Sequence, residues 1–422
     1  MTRLILCMLL AGCAHHAVDL PLEADAFDTR PLPEIPDPLD LASATRLSLG
    51  LAPRVDAARA QWHTAEAKLV LARQRRNPSV SVAMSLIPLY PNVSLKVPFT
   101  PPARRARKIH AAQTAANAAK LGVYAAAWLV WSDIAHALVD VALSTRRAEL
   151  LAQSVELQRT ALDTLTARSE AGALPVSQLM PARLRAIQME LSLDRARRDI
   201  EVARAALSAA IGVPRSALAG HRVQFDGSAS IGPDAMPPDA LSRRSDVLAA
   251  VETVRAADGF LRSQRAGRVP LVSLTESTQW DPTGHVWKVG LSTTIPIFNQ
   301  NQGPVAQALA AREVAAARLL TIQARARANL DAAQVRVVSA RARLARAQEL
   351  VEDQRVAEQQ VRSRLEAGAA QPIELTLQQL ARVSAQVGSL SVERELRHAE
   401  VDWMAALQDP SSLQLSPSDV LP

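Results

Sequence analysis

Apolar residues recur along this chain in alternating steps of four and three. Positions 326, 330, 333, 337, 340, 344, 347 and 351 read Ala, Leu, Ala, Val, Ala, Leu, Ala and Val; subtracting 196 from each gives Val130, Ile134, Ala137, Val141, Ser144, Ala148, Leu151 and Val155. A repeat averaging ~3.5 residues keeps one seam turned toward a partner helix and imposes a left-handed supercoil, and Ala at alternate seam positions lets backbones approach closely. Ala-rich sequence meets many templates by chance, but two copies agreeing at one offset argue against chance. No proline interrupts the pattern from Pro304 to Ala367, so one helix can run ~95 Å at ~1.5 Å per residue.

The duplication extends past the seams. Ser169-Glu170-Ala171-Gly172-Ala173 returns as Leu365-Glu366-Ala367-Gly368-Ala369, and Leu179 falls on Leu375, again 196 residues on. Asn77-Pro78-Ser79-Val80-Ser81-Val82 answers to Val269-Pro270-Leu271-Val272-Ser273-Leu274, and Val97-Pro98-Phe99 to Ile295-Pro296-Ile297-Phe298. The two Ala-Gly motifs, with Pro175 and Pro372 just beyond, predict a helix stop and restart, so each copy holds a long helical hairpin with a sharp tip. Residues 78–101 and 269–298 have a different texture. They are rich in Val, Ser, Thr and aromatics, have no helical period, and are cut by Pro88-Leu89-Tyr90-Pro91-Asn92 and Asp281-Pro282-Thr283-Gly284; they predict two β-hairpins.

This gives repeat 1 over residues 39–212, with a β-hairpin at 78–101 and a helical hairpin at 103–211. A linker covers 213–237. Repeat 2 spans 238–408, with a β-hairpin at 269–298 and a helical hairpin at 302–408, and a tail occupies 409–422. Tyr90, Phe99, Trp280, Trp287 and Phe298 all lie in the hairpin segments, which suits an interfacial girdle on membrane strands, although aromatics favour any strand. Four strands cannot close a membrane barrel, and an open edge in lipid leaves backbone groups unpaired. Several chains must therefore contribute to one barrel. The fold class is mainly α with a transmembrane β portion.

Composition fits long helices: 48% of the 422 residues are hydrophobic, mostly Ala, Leu and Val, and only 3% are aromatic. The net charge of +7 does not point to nucleic acid, because Arg is interleaved with Asp and Glu along helical faces. Residues 1–12 read as a signal peptide, with Arg3 before an apolar core from Leu4 to Leu10. Leu10-Ala11-Gly12-Cys13 resembles the bacterial lipobox, which makes Cys13 the lipid-bearing first residue, diacylated and palmitate-carrying, of a linker over 13–38. An ordinary cleaved signal is the alternative. With Cys7 removed, Cys13 is the only cysteine, so neither a disulfide nor a cysteine metal site is expected. No second apolar run predicts a transmembrane helix.

Motifs for an enzyme are missing. There is no His-Glu-x-x-His, phosphate loop or nucleophile elbow, and His15-His16 reads as an inert linker pair. No enzyme activity, cofactor or metal is expected.

With these residues in view, the sequence resembles the TolC family of outer-membrane efflux factors across about residues 40–410. The resemblance rests on the duplicated order of elements, Asn77-Pro78, the Ala-Gly tips and Ile295-Pro296-Ile297-Phe298-Asn299-Gln300-Asn301-Gln302-Gly303. That last run is similar to the CzcC/CusC-like branch serving heavy-metal exporters of the resistance-nodulation-division class. The family implies a homotrimer in the outer membrane that extends into the periplasm, and the lipobox-like motif adds a lipid anchor at Cys13. Twelve strands would form one barrel and twelve helices a tunnel, with an equatorial belt near the termini and residues 213–237. Its partners would be a periplasmic adaptor and an inner-membrane pump. The expected function is passive conduction of substrate, metal cations first through the branch resemblance, drugs or other small toxic molecules second. A lipid-anchored periplasmic scaffold without a pore is the remaining alternative.

Gly172 and Gly368 are the expected docking and gating tips, with Arg168 and Ser169 as adaptor contacts by resemblance; a plain helix turn is the alternative. Glu374 matches the first of two acidic residues that line the aperture in relatives, while the second position falls on Leu377. A helix-terminal carboxylate favoured by the dipole is its simpler reading. Asn299, Asn301, Gln302 and Gly303 are expected to satisfy backbone groups where barrel meets tunnel.

Overall fold

The computed structural model describes residues 25, 27, 31–86, 89–225, 232, 236–281 and 284–408. The signal peptide, Cys13, His15-His16, the tail 409–422 and part of the 213–237 linker lie outside the described residues.

Helices α1 (Leu41–Leu51) and α2 (Pro53–Arg73) lead into strands β1 (Ser79–Leu86) and β2 (Leu89–Phe99). Helix α3 (Pro102–Glu170) then runs to the first tip and α4 (Val176–Ile211) returns from it. After a 3-10 turn at Arg215–Leu218 and the short α5 (Ala240–Arg243), the order repeats: α6 (Ser245–Ala266), β3 (Val272–Asp281), β4 (Gly284–Thr293), α7 (Gln302–Glu366) and α8 (Pro372–Leu407). At 69 and 65 residues, α3 and α7 extend ~104 and ~98 Å.

Local chemistry sets the ends. Asp40 caps α1 through a reciprocal pairing with Ser43, and those hydrogen bonds hold the Asp40 carboxyl below its ordinary range. Pro53, Pro102 and Pro372 occupy first-turn positions, where the missing N–H costs nothing. Leu39 exchanges backbone hydrogen bonds with Arg222 and Gln224, of 2.8 and 3.0 Å, tying the N-terminal segment to the linker between the repeats.

The seams are buried over most of their expected length, with Ser144, Ala148, Leu344, Ala347 and Val351 only half-buried. In α3, Val130, Ile134, Ala137, Val141, Leu151 and Val155 are buried, and in α7, Ala326, Leu330, Ala333, Val337 and Ala340. Helix α3 packs on α2 and α4 of its own repeat and on α6 and α8 of the other. Near the sheet the helices therefore lie side by side as α2, α3, α6, α7, and toward the tips as α4, α3, α8, α7. Two features depart from the sequence reading. Helix α3 contains a stretch apolar enough to cross a membrane, but 61% of it is buried in protein; its apolar surplus reflects a helix packed on more than one side. The first hairpin turn is also shorter than the 88–92 segment, because Tyr90, Pro91 and Asn92 pair with Ser85, Met84 and Ala83. Pro91 lies beyond the last β2–β3 pair, where an absent N–H is tolerated.

Candidate functional site: sheet, junction and tips

The four strands form one antiparallel sheet in the order β1-β2-β3-β4. The β2–β3 pairing, from Asn92 with Gln279 to Phe99 with Val272, joins the repeats. Register sorts the side chains onto two faces, since successive residues point to opposite sides. One face carries Val80, Val82, Met84, Val93, Leu95, Val97, Phe99, Val272, Leu274, Trp280, Trp287, Val289 and Leu291; the other carries Ser79, Ser81, Asn92, Ser94, Lys96, Ser273, Thr275, Ser277, Gln279, Lys288 and Ser292. Side-chain bonds confirm the sorting: the Ser81 and Ser94 hydroxyls lie 2.7 Å apart, Lys288 Nζ donates to Gln279 Oε1 at 3.2 Å, and Trp287 Nε1 donates to His285 Nδ1 at 2.9 Å. Glu276 is the acidic exception on the apolar face, between Leu95 and Val289.

Both faces are open in the single chain, with Val289 and Leu291 about three-quarters exposed. Among the described residues, strands β1 and β4 each pair on one side only. The girdle expectation needs one correction. Phe99, Trp280 and Trp287 sit on the apolar face, but Tyr90, opposite Ser85, falls on the polar one. Alternation, not aromatic type, decides the side.

Where β4 becomes α7, amides take up backbone groups. Asn301 adopts a left-handed conformation at φ 64, and its Nδ2 donates to the Gln264 carbonyl at 2.6 Å, tying α7 to α6. Asn299 Oδ1 accepts from Asn301 N at 3.0 Å, Gln302 Oε1 accepts from Gln300 N at 2.7 Å, and Gln302 Nε2 donates to the Phe298 carbonyl at 3.1 Å. Gly267 lets this corner close, because a Cβ there would lie 2.7 Å from Asn301 Nδ2. Gly303 has open space around it, so nothing at this position requires glycine.

The two tips have the same backbone. Gly172 and Gly368 sit at φ 71 and φ 70, a region that penalises any Cβ. Gly172 N donates to the Ser169 carbonyl at 3.0 Å and Ala173 N to Arg168 at 2.9 Å; Gly368 N donates to Leu365 at 3.0 Å and Ala369 N to Arg364 at 2.7 Å. Each pair of bonds is a Schellman closure of the helix end. Arg168, exposed, reaches across to the other tip, where its Nη1 donates to Gln371 Oε1 at 3.1 Å. Glu374 closes a capping box with Gln371, accepting from its backbone N–H at 3.1 Å, and lies 3.6 Å from Arg364. Its carboxylate thus has the helix-end role, and the next turn presents Leu377, exposed, in place of a second acid.

A cluster between the middle of α3 and the C-terminal part of α8 was not singled out in the sequence. His136 and Asp140 on α3 and His398 and Asp402 on α8 form a crossed quartet. The two Nδ1 atoms are 2.5 Å apart, His136 Nε2 is 3.2 Å from Asp402, and His398 Nε2 is 2.7 Å from Asp140. Ring centroids 4.8 Å apart and planes within 19° place the rings edge to edge, since that separation is the nitrogen contact plus one ring radius on each side. Each Nε2 lies against a carboxylate, and the tautomers decide which ring nitrogens donate. Burial raises the Asp140 pKa, but hydrogen bonds from His398 and Arg394 and their charge outweigh it and hold the group at about 2. The His136 hydrogen bond likewise outweighs burial at Asp402, with Arg336 assisting, and lowers its pKa. The signal was present as His-x-x-x-Asp at the same spacing on both helices, but only the fold crosses them.

Residues 236–407 match the family described as outer membrane efflux protein. Over that stretch the chain is similar to the outer membrane efflux protein family. The match covers repeat 2; repeat 1 shares its order of helix, hairpin, long helix, tip and return helix. No curated protein matches. Solved outer-membrane proteins of this architecture overlay the chain closely. The CmeC outer membrane channel of Campylobacter jejuni has a TM-score of 0.73 at 16% identity, covering 87% of this chain and 85% of its own. VceC of Vibrio cholerae gives 0.72 at 18%, covering 87% and 95%, and CusC gives 0.70 at 17%, covering 87% and 91%. The efflux family is one of channels rather than enzymes.

Proposed function

We propose that this chain is the outer-membrane channel of a tripartite efflux system, working as a homotrimer that accepts substrate from an inner-membrane pump and a periplasmic adaptor. The observation that carries the reading is the two-faced sheet with two unpaired edges. An apolar face beside a Ser/Thr/Asn/Gln face suits strands between lipid and a water-filled lumen, and strands of 8 to 11 residues match the ~9–11 needed to cross a bilayer at a tilt. Three copies put β4 of one beside β1 of the next, antiparallel, and leave no edge. A poreless scaffold has no use for such a sheet.

In this reading Gly172 and Gly368 mark the periplasmic docking and gating end, with Arg168 and Ser169 toward the adaptor, and Cys13 carries the lipid anchor. Metal cations are the cargo implied by the resemblance of the 295–303 run to heavy-metal exporters. One observation favours small organic molecules instead: Lys96 and Lys288 lie on the polar, lumen-side face, giving lysine rings in a trimer, and the Glu374 carboxylate is engaged by Gln371 and Arg364. Charged rings of this kind disfavour cations. The purified full chain in planar bilayers tests the function. Stepwise conductance from a trimer is expected; a monomer without membrane activity refutes the channel. The reversal potential in a salt gradient separates the cargo readings, and unchanged selectivity in Glu374→Gln removes the acidic aperture.

A further inference from the structure

A groove of about 1100 Å³ lies over α3, between α2 and α6, directly below the sheet. Six cations line it: Lys68, Arg75 and Arg76 from the end of α2 and just beyond, and Arg104, Arg105 and Lys108 from the first turns of α3. No carboxylate is among its lining residues. Elsewhere on the helical surface many arginines are paired with Asp or Glu, as in Arg159 with Glu190, Arg336 with Asp402 and Arg355 with Glu352. Arg104 and Arg105 reach backbone carbonyls only, those of Val269 at 3.4 Å and Arg73 at 2.7 Å, and Arg105 Nε is buried with no partner among the described residues. The groove also exposes Leu71, Phe99 and Phe260.

Uncompensated like charges repel, and exposed large apolar side chains are costly beside them. One kind of ligand relieves both. A free anion leaves the apolar wall wet, and a neutral lipid leaves the cations unpaired; an anionic amphiphile satisfies the two together. Position selects the source. Val97 and Phe99, which belong to the apolar face of the sheet, form the upper wall of the groove, so it continues the surface that meets acyl chains. Basic side chains at such a border extend their charge to the phosphate layer while their stems stay in the apolar region. The groove lies within one protomer, and α7 at the edge is separated from it by α6.

We propose that this groove binds the headgroup and part of an acyl chain of an anionic phospholipid from the periplasmic leaflet. The proposal rests on the channel reading for the orientation of the sheet. The test uses the purified, delipidated full chain, titrated with phosphatidylglycerol or phosphatidylethanolamine and read by native mass spectrometry. Phosphatidylglycerol should bind at about one per protomer and roughly tenfold more tightly, with the preference shrinking as salt rises. Replacing the exposed cations together, as K68Q/R75Q/R76Q/K108Q, should abolish the preference while oligomeric state and conductance persist. Equal binding of the two lipids, or a preference that survives the substitutions, overturns the site. Displacement of phosphatidylglycerol by millimolar inorganic phosphate overturns the lipid as its source. A chain that conducts without lipid preference loses this site alone, whereas a monomer that still prefers the anionic lipid loses the channel.

Discussion

Helices α3 and α7 descend from one duplicated element, with the same seam register and the same tip, yet they do different work in the protomer. Helix α3 buries 20 residues and α7 buries 8. The difference lies on the flank of the shared seam. Positions 131, 135 and 138 of α3 are Trp, Ala and Leu, all buried, and the residues 196 further on are Arg327, Asp331 and Gln334. Trp131 and Ala135 pack with Trp128, Val139, Val401 and Met404 against α8, whereas Arg327 and Asp331 form a surface pair at 3.1 Å. A central helix needs two apolar faces and an edge helix needs one. The other edge helix toward the tips is α4, which exposes Val176, Met180, Leu184, Ile187 and Leu191 in steps of four and three. An exposed stripe of that spacing is a helix–helix seam without its partner; in the proposed trimer a neighbouring subunit's α7 would be that partner.

The largest expected contrast is between equivalent positions. Trp131→Ala should cost about 3–5 kcal/mol in denaturant unfolding, while Arg327→Ala should change stability by no more than ~0.5 kcal/mol; equal effects would break the distinction between centre and edge. Next, the double substitution L184R/I187R should leave helix content intact but remove the trimer from cross-linking patterns, because buried unpaired charge at a seam is expensive. A persisting trimer would place the subunit contact elsewhere. The tips give a smaller effect. Gly172→Val or Gly368→Val should destabilise by about 1–2 kcal/mol through the left-handed backbone, and the two costs should match if the tips are structurally equivalent. Export complementation in the same variants tests the gating role.

The smallest effect is confined to acid. Asp140 is depressed to about 2 in the fold against ~3.9 unfolded. A lowered carboxylate stabilises the fold above its unfolded pKa, and that contribution fades as pH falls from about 4 toward about 2. Asp140→Asn should therefore lower stability at neutral pH and flatten this part of the acid limb. The charged and titratable groups facing it are His398 and Arg394 on α8, Asp199 on α4 and, through His398, His136 on its own helix. An acid limb unchanged by the substitution would show that the Asp140 ion pair does not stabilise the fold.

Most of the element order was legible in the sequence, because each signal is local or repeated. A seam period, a glycine that must take positive φ and an alternating Val-Ser strand all act over a few residues, and duplication doubled every signal. The junction amides were legible for the same reason, since Asn299 and Gln302 serve backbone groups two to four residues away. The first hairpin turn was misplaced because Pro91 reads as a breaker, and only its place beyond the β2–β3 ladder makes it tolerable. The crossed His-Asp quartet and the cationic groove were illegible because their members come from separate elements, 262 residues apart in the case of His136 and His398.

By itself, the sequence determined the duplicated helices, the hairpins and the tips, because period, turn chemistry and backbone hydrogen bonding are properties of neighbouring residues. The tertiary structure alone decided which copy of the long helix is central, which strand faces share a side, and which distant charges meet. Those outcomes depend on how antiparallel elements cross and register, and no local pattern encodes a crossing.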